Sequence, residues 1–281
     1  MTVRPLPPPS VHRQHGSLPV ILSVPHSGRD YPDWLVDMSR SGRPPLERLE
    51  DPYVDRLVWR ALQRGCGAVI AQAPRAAVDC NRGEDEIDPA VIGFSSGAQL
   101  SARARGGLGI VPARTQSDGY LWRRSISPAQ LEERIEAAHR PYHLSLEDQL
   151  AAVRERFGAA LLIDCHSMPP PRAGIAEIVI GDLHGRSAGG WLSREALAIV
   201  RSSGFTAGHN EPFAGGHVLD RHGRPARGIH ALQIEVDRSL YLDETLLAPG
   251  PGFDRIAQMI EALAAGLGEA VIARPAALAA E

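Results

Sequence analysis

The stretch Ala160-Leu-Leu-Ile-Asp-Cys-His-Ser167 decides the fold class, because an apolar run typical of a buried strand leads directly into polar residues. Val20-Ile-Leu-Ser-Val24 ends in the same way, at Pro25-His26-Ser27-Gly28. Similar runs predict further strands at Ala68–Ala71, Glu177–Ile180 and Ala231–Val236. In open α/β sheets, functional residues gather outside the carboxyl ends of the strands. The polar residues that follow these runs are therefore the first candidates for a site.

Helices are predicted between these strands, where apolar residues recur at helical spacing. They begin after Asp51-Pro52, which has the pattern of an N-cap followed by proline, and at Ser127-Pro128, with Pro141 expected to kink or split the second one. Two more are expected at Trp191–Val200 and Phe253–Leu267. The alternation predicts an α/β fold with a mixed, largely parallel sheet covered by helices on both faces. Without a repeat or a clear linker, we expect a single domain over residues 1–281.

Residues 83–119 do not fit this alternation. They are rich in glycine, serine and acidic residues and lack sustained periodicity, so we expect a long excursion over the surface. Loops of this length inside a compact domain are usually functional.

Composition narrows the classes of function. Hydrophobic residues make up 43% and charged residues 22% of the 281 residues, which is an ordinary globular balance. The formal net charge of -3 favours neither a nucleic-acid nor a membrane partner, and no run approaches the roughly 18 apolar residues of a membrane span. Cys66, Cys80 and Cys165 are too scattered for a disulfide framework. With no signal peptide in the sequence, we expect a cytoplasmic protein, and the strong preference for arginine over lysine favours a bacterial source.

Two histidines at separate strand ends, His26 and His166, suggest a metal site, because neutral imidazole is the commonest protein ligand of zinc. Catalytic zinc keeps three protein ligands, so a carboxylate is also needed. Asp51 is the candidate and Asp55 its rival one turn later, although Asp51 before proline could equally be a helix cap. Asp164 could orient one of the histidines, or simply make a hydrogen bond at the end of the strand.

Glu235 lies inside the apolar run Ala231–Val236, where a carboxylate is costly unless it is paired or used in catalysis. It is either a general base or a partner in a buried salt bridge, for example with Arg238. Arg82, next to Asn81, suits bidentate recognition of a substrate carboxylate, although an ordinary surface arginine is the simpler interpretation.

These segments occur in an order that resembles the N-formylglutamate amidohydrolase family. The resemblance covers roughly residues 18–246 and rests on several short motifs: Val24-Pro-His-Ser-Gly28, Glu50-Asp-Pro-Tyr-Val-Asp-Arg-Leu57, Asp79-Cys-Asn-Arg82, Ile163-Asp-Cys-His-Ser167, residues 210–216, Leu232-Gln-Ile-Glu235 and Tyr241-Leu-Asp-Glu244. That family is similar to zinc carboxypeptidases and aspartoacylases, which implies their mixed sheet sandwiched by helices.

The resemblance also implies residue roles. His26, Asp51 and His166 would hold one zinc ion per chain, Glu235 would be the catalytic base, and Asn81, Arg82 and Tyr241 would bind the substrate, with Arg82 also aiding catalysis. The reaction would be hydrolysis of N-formyl-L-glutamate, or of a related N-acyl amino acid, to the acid and the free amino acid, a step of histidine catabolism. Two positions depart from the related patterns: Arg29 stands where carboxypeptidases have a glutamate ligand, and His217 where many family members have tyrosine.

Two other classes of protein remain as alternatives. A cysteine hydrolase would use Cys165 or Cys80 as nucleophile, but Cys165 and His166 are adjacent and would point to opposite faces of a strand. A binding protein on the same fold would have no need of the intact set of ligands, base and anchor. The expected partner is a small-molecule substrate, and the sequence leaves open whether the chain forms a homo-oligomer.

Overall fold

The computed structural model describes residues 5–92, 102–172 and 174–274. The chain forms two compact units, each built from separate stretches of sequence. The first comprises Met1–Ser10, Pro25–Glu50 and Ile70–Leu144, and the second comprises Val11–Val24, Asp51–Val69 and Ser145–Glu281. A single domain over the whole chain stays a prediction.

The second unit contains a seven-stranded sheet, apart from Ser10 and Ile70 at the ends of two strands. The strands of the protein, in chain order, are β1 (Ser10–His12), β2 (Val20–Val24), β3 (Gly67–Ile70), β4 (Arg114–Thr115), β5 (Gly119–Tyr120), β6 (Ala160–Met168), β7 (Ile178–Gly181), β8 (Ala207–His209) and β9 (Ile229–Asp237). The order across the sheet is β1-β3-β2-β6-β9-β7-β8, and β4 and β5 form a separate antiparallel pair.

The register of the central strands confirms the predicted mixed, mostly parallel sheet. β6 runs parallel to both β2 and β9, whereas β9 and β7 are antiparallel and β7 and β8 are parallel. Every residue of β6 is buried, as expected for an apolar strand at the centre of a covered sheet. The strand is longer than its apolar run, so His166 lies within β6 and not after it. The reason is that the polar residues continue the ladder with β9, where His166 pairs with Glu235.

The helices, in chain order, are α1 (Asp33–Met38), α2 (Pro44–Glu47), α3 (Val54–Leu57), α4 (Trp59–Gln63), α5 (Pro89–Ile92), α6 (Ala102–Arg105), α7 (Pro128–Arg134), α8 (Arg140–Phe157), α9 (Gly190–Ser202), α10 (His217–His222) and α11 (Phe253–Ala273). In the second unit, α11 packs against α9, α4 and β6. It is long and apolar enough to cross a membrane by length and composition alone. Half of its most apolar stretch is buried, and the core helix of a soluble protein can have the same length and composition.

The predicted cap at Asp51 is wrong. The helix that follows begins at Val54, and its N-cap is Tyr53 in a left-handed conformation with φ 59°. The side chain of Asp51 instead contacts His166 of β6, as described below. A short polar side chain caps a helix only when nothing competes for its oxygens, and here a buried ring nitrogen does.

The first unit has its own hydrophobic core, which α1, α2 and α7 share with the 83–119 segment. Ile110, Val111 and Ala113 are buried in this core, so the described part of that segment is not only a surface excursion. Residues 93–101 of the predicted excursion lie outside the described residues.

The helix that starts at Ser127-Pro128 is present and changes its winding at the predicted proline. Ser127 forms a capping box with Gln130, and the α-helical turns of α7 give way to a π-helix over Ile135–His139 before α8 begins. Pro141 is the second residue of α8 and lacks the N–H that would bond four residues back. The wider π turn directly before it accommodates this loss, and such turns are frequent at functional sites.

Candidate active site

His166 lies between two carboxylates in the second unit. Its Nδ1 atom is 2.9 Å from Oδ2 of Asp51, and its Nε2 atom is 2.8 Å from Oδ2 of Asp164. The other oxygen of Asp164 accepts a hydrogen bond from the Ser23 hydroxyl at 2.6 Å. All four side chains are buried. This arrangement fixes the plane of the imidazole and leaves Asp51 and Nδ1 close to each other.

The electrostatics of this cluster favour a cation. Burial by itself lowers the pKa of His166, but Asp164, Asp51 and Glu235 more than compensate and hold that pKa well above its ordinary value. Three carboxylates around one imidazole favour positive charge among them, and a proton on the ring or a metal ion would add to the charge that Arg238 brings to Asp51.

Glu235 faces this cluster from the neighbouring strand. It is the register partner of His166 in the parallel pairing of β6 with β9, so both side chains leave the sheet on the same face. Its carboxylate is 9% exposed and accepts a hydrogen bond from Nε2 of Gln233 at 2.9 Å. Gln233 pairs with Asp164 two residues earlier in the same ladder, and so on the same face. Four polar side chains, those of Asp164, His166, Gln233 and Glu235, therefore lie together on one face of an otherwise apolar sheet.

Arg238 pairs with Asp51 at 3.1 Å and also donates to the hydroxyl of Ser167 at 3.2 Å. Sequence reasoning had considered Arg238 as a partner of Glu235 and had not assigned it to the site. Its position directly after β9 was the available signal. Tyr241, a predicted substrate contact, is fully buried and donates its hydroxyl to the carbonyl of Pro52 at 2.8 Å. Its observed contact is thus with the segment that carries Asp51.

In the first unit, His26 is bound to Asp79. Its Nε2 atom lies 2.7 Å from Oδ1 of Asp79, and Arg75 donates to the other oxygen at 2.8 Å. Asp79 is completely buried, which alone would raise its pKa, but Arg75, His26 and Arg82 hold the pKa well below its ordinary value. An ionised Asp79 therefore accepts from His26 and fixes the orientation of the ring. Sequence reasoning placed Asp79 in a candidate segment but missed this role.

Asn81 and Arg82 follow directly. The backbone N–H of Asn81 donates to Oδ1 of Asp79 at 2.8 Å, and Arg82 donates to the carbonyls of Leu108 at 2.8 Å and Asn81 at 2.6 Å. Arg82 is only 6% exposed, which excludes an ordinary surface arginine. The polar residues Asp79–Arg82 were also expected at the end of a strand, and this is wrong: they lie in irregular structure and turns well after β3, with Pro74 and several alanines between.

The backbone of Arg82 is held in turn by His139, whose Nε2 is 2.8 Å from the Arg82 carbonyl. A carbonyl only accepts, so this nitrogen carries the proton. His139 is the last residue of the π-helix. Its hydrogen bond therefore connects the π-helix to the segment that carries Asn81 and Arg82.

The cysteine alternative finds no support in the structure. Cys80 and Cys165 are buried, and burial, together with the adjacent carboxylates of Asp79 and Asp164, raises the pKa of both thiols. Cys66 is also buried, and its pKa is raised to about 11. A nucleophilic cysteine needs a depressed pKa and access to substrate. The structure gives these cysteines neither.

The predicted residues divide between the units: His26, Asn81 and Arg82 belong to the first, and Asp51, His166, Glu235 and Tyr241 to the second. Asp55, the rival of Asp51, lies in α3, and His217 is the first residue of α10. Within each unit a histidine is oriented by a buried carboxylate, which is the arrangement typical of metal-bound histidines.

Comparison with known proteins gives the family. The model of the N-formylglutamate amidohydrolase family matches residues 18–242. The chain belongs to this family. It is 30% identical over 244 residues to N-formylglutamate deformylase of Pseudomonas putida, covering 82% of this chain and 84% of that protein. A protein of the same description from Pseudomonas aeruginosa is 28% identical over 82% of this chain and 85% of its own length.

The fold agrees with that of a solved member of the family. The crystal structure of N-formylglutamate amidohydrolase from Ralstonia eutropha JMP134 superposes with a TM-score of 0.85 at 28% identity, covering 94% of this chain and 98% of that one. A gene product of Agrobacterium tumefaciens shares the fold, with a TM-score of 0.66 at 19% identity over 95% and 96% of the two chains. The family match thus agrees with the mixed, mostly parallel sheet described above.

Proposed function

We propose that this protein hydrolyses the amide bond of N-formyl-L-glutamate, or of a closely related N-acyl acidic amino acid, and that it does so with one zinc ion per chain. The observation that carries the proposal is the pair of histidines oriented by carboxylates, His26 by Asp79 and His166 by Asp164. The names of the relatives support the substrate, since both Pseudomonas proteins are N-formylglutamate deformylases.

The zinc would be held by His26, Asp51 and His166. The donor set fits: in each histidine Nε2 faces an orienting carboxylate, which assigns Nδ1 to the metal, and Asp51 lies 2.9 Å from Nδ1 of His166. β2 pairs in parallel with β6, so His26, which follows β2, and His166 belong to the carboxyl ends of adjacent strands. The contact of Asp51 with His166 favours Asp51 over Asp55 as the carboxylate ligand.

Zinc at these residues supplies Lewis-acid activation of water and of the substrate carbonyl. The chain supplies the proton transfers. Glu235 accepts one proton from the attacking water as the new C–O bond forms, and delivers it to the amide nitrogen as the C–N bond breaks. Gln233 holds the Glu235 carboxylate by its hydrogen bond at 2.9 Å, which keeps an oxygen in place between the two transfers. The products are formate and glutamate.

Arg82 and Asn81 would bind a carboxylate of the substrate, with Tyr241 contributing near Asp51. Burial strengthens this assignment, because a guanidinium in a dry environment binds a carboxylate more strongly than one in water. An arginine also stabilises the developing oxyanion, and Arg82 is our candidate. The three buried free cysteines support a cytoplasmic location, where thiols stay reduced.

Metal analysis together with a substrate screen tests the proposal. Purified protein is expected to contain about one zinc per chain, and His26→Ala and His166→Ala are each expected to lose most of it. Asp51→Asn should weaken zinc binding more than Asp55→Asn, which is the matched control on the same segment. Turnover of N-formyl-L-glutamate should exceed that of N-acetyl-L-glutamate and N-formyl-L-aspartate and should be lost after chelation and restored by zinc.

Two outcomes would contradict the proposed zinc site. Full zinc occupancy in the His26→Ala/His166→Ala double variant would remove the metal assignment. If Asp51→Asn keeps its zinc while Asp55→Asn loses it, Asp55 is the ligand and Asp51 only orients His166.

A further inference from the structure

The first unit contains a cavity of about 710 Å³ that no part of the proposed reaction uses. This volume lies within the range of pockets that bind small molecules. α1 and α7 contribute half of its lining residues, and the π-helix over Ile135–His139 and the segment at Pro5 and Leu6 contribute most of the others. The residues that line it are Pro5, Leu6, Trp34, Met38, Arg124, Gln130, Glu133, Arg134, Glu136 and Ala137.

Arg134 is the unusual member of this lining. It is 4% exposed, yet within the described ranges no carboxylate forms an ion pair with it. Its NH1 donates to the carbonyl of Ala77 at 3.1 Å, its NH2 approaches the sulfur of Met38 at 3.5 Å, and its guanidinium carbon is 4.9 Å from the centre of the Trp34 ring. A guanidinium has five N–H donors, and these contacts satisfy few of them.

Burying a charge without a counter-ion is costly. The effect is visible in the pKa of Arg134, which burial lowers to about 10 despite the opposing influence of nearby Glu133. Glu133 and Glu136 at the cavity are exposed, and Glu136 is an ion-pair partner of Arg140. The cavity therefore presents a desolvated cation beside an apolar surface formed by Leu6, Trp34 and Met38.

We propose that this cavity binds a small carboxylate with a flat apolar body, the carboxylate against Arg134 and the body against Trp34, Leu6 and Met38. The planar fork of the guanidinium matches a carboxylate in two parallel hydrogen bonds, and such a ligand supplies the missing counter-charge. The apolar lining selects against small hydrophilic anions, which would leave that surface in contact with water. This site lies among residues that have no part in the proposed reaction.

Calorimetric titration with matched probes tests the proposal on the full-length protein. We expect 3-phenylpropionate to bind at least about tenfold more tightly than 3-phenylpropanamide, which has the same body without the charge. Acetate, which has the charge without the body, should show no saturable binding. No detectable binding of 3-phenylpropionate by the wild-type protein at about 10 mM, or equal affinity for the acid and the amide, would overturn the proposal.

Two variants test whether binding depends on the guanidinium of Arg134 in particular. Arg134→Met keeps the length of the side chain and should weaken 3-phenylpropionate at least about tenfold while leaving the amide unchanged. Arg124→Met, an exposed arginine on the same cavity, is the matched control and should change affinity less than about twofold. Unchanged affinity in Arg134→Met would overturn the assignment.

Should Arg134→Met fail to fold, as judged by circular dichroism, Ala137→Leu decides. It retains the guanidinium and narrows the cavity, so both 3-phenylpropionate and the amide should lose affinity, and retained binding of either would place the ligand elsewhere. Turnover of N-formyl-L-glutamate by folded Arg134→Met should equal that of the wild type, so the two proposals fail independently.

Discussion

At the residue scale, the strand positions Gln233 and Glu235 show how a costly polar pair is kept inside a sheet. Alternation along β9 places both side chains on one face, and the parallel register sets them beside Asp164 and His166. Asp164 is then hydrogen-bonded to His166 on its own strand and to Ser23 on β2, and Glu235 is hydrogen-bonded to Gln233 on its own strand. Polar groups buried in this way are tolerated because they are hydrogen-bonded, and they specify one register of the ladder.

The first prediction concerns Glu235. Glu235→Gln keeps the shape and the hydrogen-bonding capacity but cannot accept a proton from water, so the rate should fall by about 10²–10⁴-fold. Zinc content and melting temperature should stay near the wild-type values, because in this scheme Glu235 is not a ligand. Measuring all three quantities on one variant distinguishes the roles. Retained turnover with a much lower melting temperature would make Glu235 structural, and lost zinc would make it a ligand.

The second prediction concerns Arg82. Arg82→Ala should raise KM for N-formyl-L-glutamate by about 10–100-fold, the range expected for loss of a hydrogen-bonded ion pair. A substrate amide without the anchored carboxylate should show little difference between variant and wild type. Arg123→Ala is the matched control, since Arg123 also donates to a backbone carbonyl in the first unit, that of Ser39 at 2.7 Å. Equal losses on both substrates would assign Arg82 to the oxyanion or to the fold, and not to the substrate carboxylate.

At the scale of elements, the helix from Ser127 onward depends on a defined start. The Ser127 hydroxyl accepts from the Gln130 N–H at 3.2 Å, and the Gln130 side chain accepts from the Ser127 N–H at 2.9 Å. These two bonds satisfy donors that the first turn leaves without helical partners. The same helix carries Arg134 and leads through the π turn to His139. The position at which the helix begins therefore sets the positions of both residues along it.

The third prediction tests this cap. Ser127→Ala should lower the free energy of unfolding by about 1 kcal/mol, measured by urea denaturation. Ser125→Ala, an exposed serine in the same loop, should change it by less than about 0.5 kcal/mol. Equal effects of the two substitutions would show that the capping box adds no stability.

At the scale of the whole molecule, the buried carboxylate of Asp182 connects several elements of the second unit. Asp182, which follows β7, accepts from Ser193 of α9 at 2.6 Å and from Asn210, which follows β8, at 2.8 Å. His209 lies 2.9 Å from the same carboxylate. Burial alone would raise the pKa of Asp182, but these hydrogen bonds lower it to about 2.

The fourth prediction follows from that shift. A carboxyl group whose pKa is lower in the folded state stabilises the protein above its unfolded pKa of 3.8, and this contribution is lost as the pH falls through about 2. Asp182→Asn should therefore cost roughly 1–2 kcal/mol near neutral pH, the lower end reflecting solvent access beside His209. It should also flatten the dependence of unfolding free energy on pH between these values.

The control for this prediction is Asp220→Asn, which removes an exposed carboxylate paired with Arg186 at 3.1 Å. It should leave the acid-unfolding curve nearly unchanged, because exposed ion pairs contribute little. A curve for Asp182→Asn that overlays the wild type would place the acid sensitivity elsewhere in the molecule.

The sequence by itself determined the strands β2, β3, β6, β7 and β9, the longer helices between and after them, and the chemical kinds of residue at the site. Apolar runs such as Val20–Val24 and Ala160–Ile163 require burial wherever they lie, and Ser127-Pro128 begins a helix through contacts within one turn. These signals are local, since each depends on neighbours only a few positions away in the chain.

Only the tertiary structure decided which groups are partners. Asp51 contacts His166 across 115 positions of sequence, and His26 contacts Asp79 across 53. In an isolated segment, the same oxygen of Asp51 would cap a helix. Arg238 could form an ion pair with any nearby carboxylate. In the fold, burial makes every unpaired charge costly, so each group takes the partner that packing brings within hydrogen-bond distance. That choice depends on the register of strands distant in sequence, and no local pattern encodes it.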